Sequence, residues 1–331
     1  MFSRRTLLSR LTLSLACLAL GAAALSARAQ SAYPNKAVRL VVPYTAGGIT
    51  DVLARALAER MRSHLGQPVI VENRPGANTA LAAKIVSSAD PDGYTVLFAT
   101  GATAVLNPLL YPKLTYNPEK ELAPVARIAL TPMLMVVGGK SPHRTLSDLI
   151  TAARDTPAKL NYGSTGTGSS PHLAGELLQQ EAGISMLHVP YNGSSPVHVA
   201  LMSGDIQFAA DPAGSAMALA KSGKLHAVAV TSKVRLSALP DVPTVAESGY
   251  PNFEVTTWFG LMVPKKAPES VVQRLNAAVA ASGADPEFRK QFEALGMVIP
   301  KPLSSTEFST YIAHERAAWE PLIRAKNIVL E

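Results

Sequence analysis

Two periods of hydrophobicity alternate along the chain. Apolar runs of three to six residues, rich in Val, Leu and Ile, stand at Val38–Val42, 69–71 and 94–99. Between them, residues 52–61 and 79–89 carry apolar positions at helical spacing. The breaks are short: Gly66 with Pro68, the turn Glu72-Asn73-Arg74-Pro75-Gly76-Ala77-Asn78 with Asn78 as the expected helix cap, and Asp90-Pro91-Asp92-Gly93. Strand, helix, strand, helix, strand with such connections predicts a parallel sheet covered by helices.

The texture changes near residue 122. Two apolar runs, 125–130 and 133–137, are interrupted by Thr131-Pro132, and a proline there predicts a break between sheets. The strand–helix alternation then resumes. Strands are expected at 160–163, 186–189, 206–210 and 225–231, and helices at 146–154, 172–181, 197–203 and 214–222. The strand at 206–210 is expected to end at an Asp211-Pro212 turn. Residues 256–263 read as a return strand, followed by helices at 269–281, 286–295 and 306–326. The fold expected is α/β and two-lobed, of the type II periplasmic-binding-protein kind. Each lobe is a mostly parallel sheet flanked by helices, and two crossing strands serve as hinge. The first lobe takes 30–130 plus 256–331 and the second 131–255, with a cleft between them that closes by hinge motion.

The first 29 residues do not fit this pattern. Arg4, Arg5 and Arg10 precede an apolar run over 11–25, and Ala27-Arg28-Ala29 suits a cleavage site, so 1–29 is expected to be a secretory signal peptide. Ser3-Arg4-Arg5-Thr6-Leu7-Leu8 also fits a twin-arginine signal, and a general secretory signal carrying two arginines is the alternative. The chain has 31 basic and 24 acidic residues, and removing the four arginines of the signal leaves 27 against 24. No basic block or aromatic-basic stripe remains to suggest nucleic acid. The single cysteine, Cys17, falls in the apolar run, so the mature chain has neither disulfide nor thiol chemistry.

Candidate chemistry gathers where strands hand over to helices, the edge at which ligands bind on parallel sheets. The first such loop is Pro43-Tyr44-Thr45-Ala46-Gly47-Gly48-Ile49-Thr50-Asp51. Its glycines and the helix start behind it offer backbone N–H groups and a positive dipole end to an anion. Asp51 is either a first-turn acid for its own helix or a group pointing into the cleft. Gly101, Ala102 and Thr103 form a second small-residue loop. The richest is Ser164-Thr165-Gly166-Thr167-Gly168-Ser169-Ser170, with Pro171 and His172 opening the next helix. Hydroxyls and backbone amides without an arginine suit a carboxylate held by neutral donors. Asp211, directly after a strand, is a candidate for a ligand ammonium group or a turn. Gly-x-Ser-x-Gly is absent from the 164–168 loop, the histidines lack metal spacing, and Gly163-x-x-Gly166-x-Gly168 lacks the Lys-Ser/Thr of a phosphate loop. No cofactor, metal or catalytic residue is expected.

Several motifs together resemble the Bug family, the extracytoplasmic receptors of tripartite tricarboxylate transporters. They are Val41-Val42-Pro43-x-x-x-Gly47-Gly48-x-x-Asp51-x-x-Ala54-Arg55, Val71-Glu72-Asn73-Arg74-Pro75-Gly76-Ala77 and Pro91-Asp92-Gly93-Tyr94-Thr95. Asn161-Tyr162-Gly163-Ser164-x-Gly166-x-Gly168-x-x-x-His172-Leu173, His188-Val189-Pro190-Tyr191 and Leu239-Pro240-Asp241-Val242-Pro243-Thr244-Val245-Ala246-Glu247 complete the set. The resemblance covers essentially the whole mature chain. It implies a periplasmic receptor, expected to be a monomer, that hands a small carboxylate to a membrane permease of one large and one small subunit. It implies ligand contacts at Thr45 to Asp51, Gly101 to Thr103, Ser164 to Gly168 and the strand end near Asp211. The sequence departs from the family where Arg-Pro-Gly-Ala usually continues with Gly-Gly: Asn78-Thr79-Ala80-Leu81-Ala82 stands there instead. Two other readings remain, a secreted α/β hydrolase and a carboxylate sensor with a membrane signalling partner. The receptor and hydrolase readings differ in whether a general base lies within hydrogen-bond reach of a cleft hydroxyl, and Ser164 or Thr165 paired with an oriented histidine would sink the receptor reading.

Overall fold

The structure, a computed structural model, describes residues 33–330. The expected signal peptide, with Cys17 and its arginines, lies outside the described residues. Nine strands are present among them: β1 Val38–Val42, β2 Val69–Asn73, β3 Thr95–Thr100, β4 Leu122–Gly138, β5 Asn161–Ser164, β6 Leu187–Pro190, β7 Phe208–Pro212, β8 Leu225–Val230 and β9 Thr256–Pro264. They follow the order β2-β1-β3-β9-β4-β7-β5-β6, with β8 also on β4. β1 runs parallel to β2 and β3, and β5 runs parallel to β6 and β7. These two parallel groups are the sheets of two lobes, joined through the antiparallel pair β4 and β9.

The expected break at Thr131-Pro132 is not a break. β4 is one continuous strand of 17 residues. It changes partner there instead. Leu122 to Pro132 lie against β9, and Met133 to Val136 lie against β7. Pro132 thus sits where one ladder ends and the next begins, a position at which a missing N–H interrupts neither. Two further expectations shift. β7 extends through Asp211, which pairs with Leu134, so Asp211-Pro212 closes a strand rather than forming a turn. The Gly101-Ala102-Thr103 stretch is not an open loop. Gly101 leads directly into a π-type turn, Ala102–Leu106, and the helix Asn107–Leu110.

The helices Ile49–Leu65, Glu269–Ala284 and Pro286–Glu293 bury their apolar stripes on one face of the first lobe, around Leu53, Leu57, Leu275 and Phe288. Another core runs along the sheet from one lobe into the other. It joins Leu97 and Trp258 to Met133, Met135, Tyr162 and Phe208. The seam between β4 and β9 is tight: a Cβ on Gly260 would lie 2.6 Å from Phe308 Cζ and 2.8 Å from the Ala126 carbonyl. The helix Ser305–Ala325 starts with a capping box, Ser304 with Glu307. Beyond that helix, Lys326 forms an ion pair of 2.7 Å with Glu176, on the second lobe's helix Ser170–Ala182. No helix among the described residues is long and apolar enough to cross a membrane.

Candidate functional site

The carboxyl ends of β1, β3, β5 and β7 place the predicted loops at the strand edge where ligands bind on such sheets. In the first loop, Thr45, Ala46, Gly47 and Gly48 are exposed, and Tyr44 is half-buried. Gly48 caps the helix Ile49–Leu65 in extended conformation, and no side chain takes up the amides of its first turn. Unpartnered amides at a positive dipole end are groups that attract an anion.

The Asp51 carboxylate is engaged inside the protein. The residue is 4% exposed. Its Oδ2 accepts from the Gly47 N–H at 3.0 Å and from Arg55 Nε at 2.9 Å, while its Oδ1 accepts from Asn73 Nδ2 at 2.9 Å. Asn73 also donates to the Tyr44 carbonyl at 3.0 Å, which ties the start of the loop to the end of β2. The Arg55 guanidinium foremost, then the amides of Gly47 and Asn73, hold the Asp51 carboxyl down at about 2 against the cost of burial. The Gly47 N–H is therefore spent inside the protein. Thr45 and the stretch from Gly48 to Ile49 remain exposed.

The second element is a buried relay rather than a set of open hydroxyls. Thr103 is fully buried and shares hydrogen bonds with Thr100 at 3.2 Å and Thr79 at 3.0 Å. Asn107 extends the relay, donating to Thr79 Oγ1 at 3.2 Å, and Tyr116 closes it by donating to the Thr103 carbonyl at 2.5 Å. Burial pushes the Tyr44 phenol up, and its hydroxyl touches Thr100 at 3.5 Å. The relay locks the ends of β1, β2 and β3 together. Gly101 has a separate reason to be glycine. A Cβ there would lie 3.3 Å from Trp258 Nε1 and 3.4 Å from Glu315 Oε1. Trp258 donates to Glu315, whose carboxyl is pushed up by burial to about 7.

On the second lobe, Thr165, Gly166 and Thr167 are accessible, while Ser164 is fully buried. The structure brings a histidine to Ser164 that sequence reasoning did not select. His188 Nε2 lies 2.7 Å from Ser164 Oγ. The same hydroxyl closes a small ring, accepting from the Gly166 N–H at 3.2 Å and donating to the Gly166 carbonyl at 3.0 Å. His172 stacks on His188 at 3.9 Å, and its Nδ1 accepts from the Gly168 N–H at 3.0 Å. That bond requires an unprotonated Nδ1. Burial holds both imidazoles below their ordinary value, His188 at about 4 with His172 adding to the effect. Tyr162 and Glu176 lie behind the pair, joined by a hydrogen bond of 2.6 Å. Burial alone would raise the Glu176 carboxyl, but Lys326 and Tyr162 hold it low. Among the described residues no carboxylate meets His188 Nδ1, so the ring is not oriented as a general base would be. Two neutral rings thus pin Ser164 and Gly168 and set the shape of the loop between them.

Asp211 is fully buried and meets His198 Nε2 at 2.9 Å; its Oδ1 has no hydrogen-bond partner. Among the described residues no cluster of three or more His, Cys, Asp or Glu side chains could hold a metal. The residues missed from sequence are Asn73, Arg55, Thr79, Asn107, His188 and Glu315. A signal existed for the last. Phe308, Ile312, Glu315, Trp319 and Leu322 share one helical stripe, and Glu315 is its only acid.

Comparison with known proteins agrees with this architecture. The model of the tripartite tricarboxylate transporter family receptor matches residues 53–328. BugT of Bordetella pertussis is 31% identical over 302 residues, 90% of this chain and 92% of its own. A Rhodopseudomonas palustris structure solved with adipate is 33% identical, with a TM-score of 0.77, covering 90% of this chain and 99% of that one. MatC from the same organism, solved with bound malate, is 32% identical with a TM-score of 0.73, covering 88% and 100%. The extent of the family match and these identities place it: the chain belongs to the receptor family of the tripartite tricarboxylate transporters, two-lobed solute-binding proteins.

Proposed function

We propose that this protein is a periplasmic receptor that captures a small organic carboxylate by closure of its two lobes and delivers it to a permease of one large and one small membrane subunit. The observation that carries the reading is the first loop. Asp51 takes the Gly47 amide and leaves a helix start with exposed Thr45 and Gly48 beside it, a cradle of neutral donors at a positive dipole end. Opposite strand ends offer Thr165, Gly166 and Thr167. Adipate and malate, present in the R. palustris relatives, are small carboxylates. The lobes divide at 130/131 and 255/256, beside the residue at which β4 changes partner. Tyr44, Ala46, Gly101, Ala102, Thr103, Gly168, His172 and Asp211 act around the contacts rather than all at them.

The Ser164–His188 contact favours the hydrolase reading, and three features weigh against it. Ser164 is buried, its hydroxyl is engaged with Gly166, and His188 has no orienting carboxylate. A thermal-shift panel of mono-, di- and tricarboxylates, aliphatic and aromatic, tests the proposal. A carboxylate at about 100 times its Kd stabilises the folded chain by about 2.7 kcal/mol. A panel in which no carboxylate raises Tm, while a sugar or an amine does, contradicts it. Turnover of p-nitrophenyl esters lost on Ser164→Ala would establish the hydrolase instead.

A further inference from the structure

A cavity of about 650 Å³ opens beside the first lobe's strand ends, apart from the Thr45–Gly48 cradle. Ala77 and Asn78 form one wall, the segment from Tyr111 to Thr115 another, and Val329 and Leu330 a third. Leu330 is held by its N–H to the Leu110 carbonyl at 2.9 Å. It also lies against the second lobe, since a Cβ on Gly168 would come within 2.8 Å of Leu330 Cδ1. The cavity's third wall therefore packs between the first lobe and the Gly168 turn of the second.

Its first wall is strained. Ala77, Asn78 and Thr79 have φ of 45°, 45° and 77°, three successive non-glycine residues in the left-handed region. Asn107 holds them there, donating to the Asn78 carbonyl at 2.6 Å and to Thr79, and accepting from Asn78 Nδ2 at 3.0 Å. Glycine would adopt this backbone without cost. Non-glycine residues in such conformations persist where the surroundings over-determine them, and they cluster at ligand sites. Here the conformation presents Ala77 and the Asn78 side chain to the cavity.

The lining sets the chemical class. Tyr111, Leu114, Val329 and Leu330 are apolar walls, and Val329 is 57% exposed. Lys113 is the charged group in the lining, and among the described residues no acid lines the cavity and no ion pair engages the lysine. We propose that this cavity is a second binding site, separate from the cradle, for an amphipathic anion: an apolar or aromatic body with one carboxylate or sulfonate at the Lys113 rim. A volume of this size, mostly apolar with few polar groups, suits a small-molecule ligand.

The test uses 8-anilinonaphthalene-1-sulfonate as the probe, titrated by fluorescence against the folded mature chain, with decanoate as competitor. The result expected is one saturable site emptied by decanoate. Val329→Asp, at an exposed terminal position, should weaken it at least tenfold, and Lys113→Gln about threefold. Asn78→Gly relieves the backbone strain, so the variant folds, and removes one wall; it too should weaken the probe. Thr45→Val, in the cradle, should leave it unchanged. Absence of saturable binding, or equal binding by the wild-type and Val329→Asp chains, overturns the proposal. Loss of probe on Thr45→Val with Val329→Asp unaffected assigns the binding to the cradle and overturns it also.

Discussion

Replacing Asp51 with alanine is expected to weaken carboxylate binding by at least tenfold and to cost about 2–3 kcal/mol of stability. The carboxylate accepts three hydrogen bonds, from Gly47, Arg55 and Asn73, inside a nearly closed pocket. Hydrogen bonds to a charged group are the stronger kind, and the alanine removes the one buried acceptor that three donors share. The arginine would be left half-exposed beside the cradle, where its charge changes the selectivity of an otherwise neutral set of donors. Asp51→Asn keeps the shape and an acceptor oxygen and should lose less. Urea denaturation gives the stability term, and calorimetry with the best carboxylate of the thermal-shift panel gives the binding term. A variant that binds as wild type would remove the loop from the account.

Acid is expected to unpin the second lobe's loop. His188 and His172 are held neutral in the fold, below their ordinary pKa, by burial foremost, with His172 lowering His188 further. In the unfolded chain they titrate near 6.5. Their contribution is therefore fully present above about pH 6.5 and drains away as pH falls toward 4, because only the unfolded chain takes up the protons readily. Protonating His172 at Nδ1 also removes the acceptor of the Gly168 N–H. Lys326 works in the same sense on His172 and Glu176 against it. With His188 only partly shielded from solvent, the two rings are expected to contribute about 1–2 kcal/mol over this window. Tm measured from pH 7 to 4.5 should fall by a few degrees more for the wild type than for His188→Phe, which keeps the stack and loses the titration. Parallel curves would contradict the assignment.

Much of this was legible in the chain. Residues 38–42 and 94–99 announced parallel strands by short apolar runs, and the change of texture near 122 and the run at 256 announced the strands that form the antiparallel pair β4 and β9. Pro132 misled, because a proline marks a lost ladder bond without saying whether the strand ends or merely changes neighbour. Asp211 misled for a related reason: Asp-Pro is a turn signal locally, but pairing with Leu134 overrides it. At the site, glycines and the helix start pointed to the cradle. What the sequence hid is how the polar groups are spent. Asp51, Thr103 and Ser164 all look like ligand donors or acceptors along the chain, and each is consumed by a partner 4 to 24 residues away. His188 was invisible because its role depends on register between β5 and β6, where Tyr162 faces it.

Closure is the central claim, and a distance measurement tests it most directly. Residues 33–330 contain no cysteine, so Lys84→Cys and Ser195→Cys, both exposed and on helices of the two different lobes, take spin labels cleanly. Double electron–electron resonance with and without the carboxylate giving the largest thermal shift should show the distance shorten and its distribution narrow as the lobes close. An unchanged distance at saturating ligand would contradict the account.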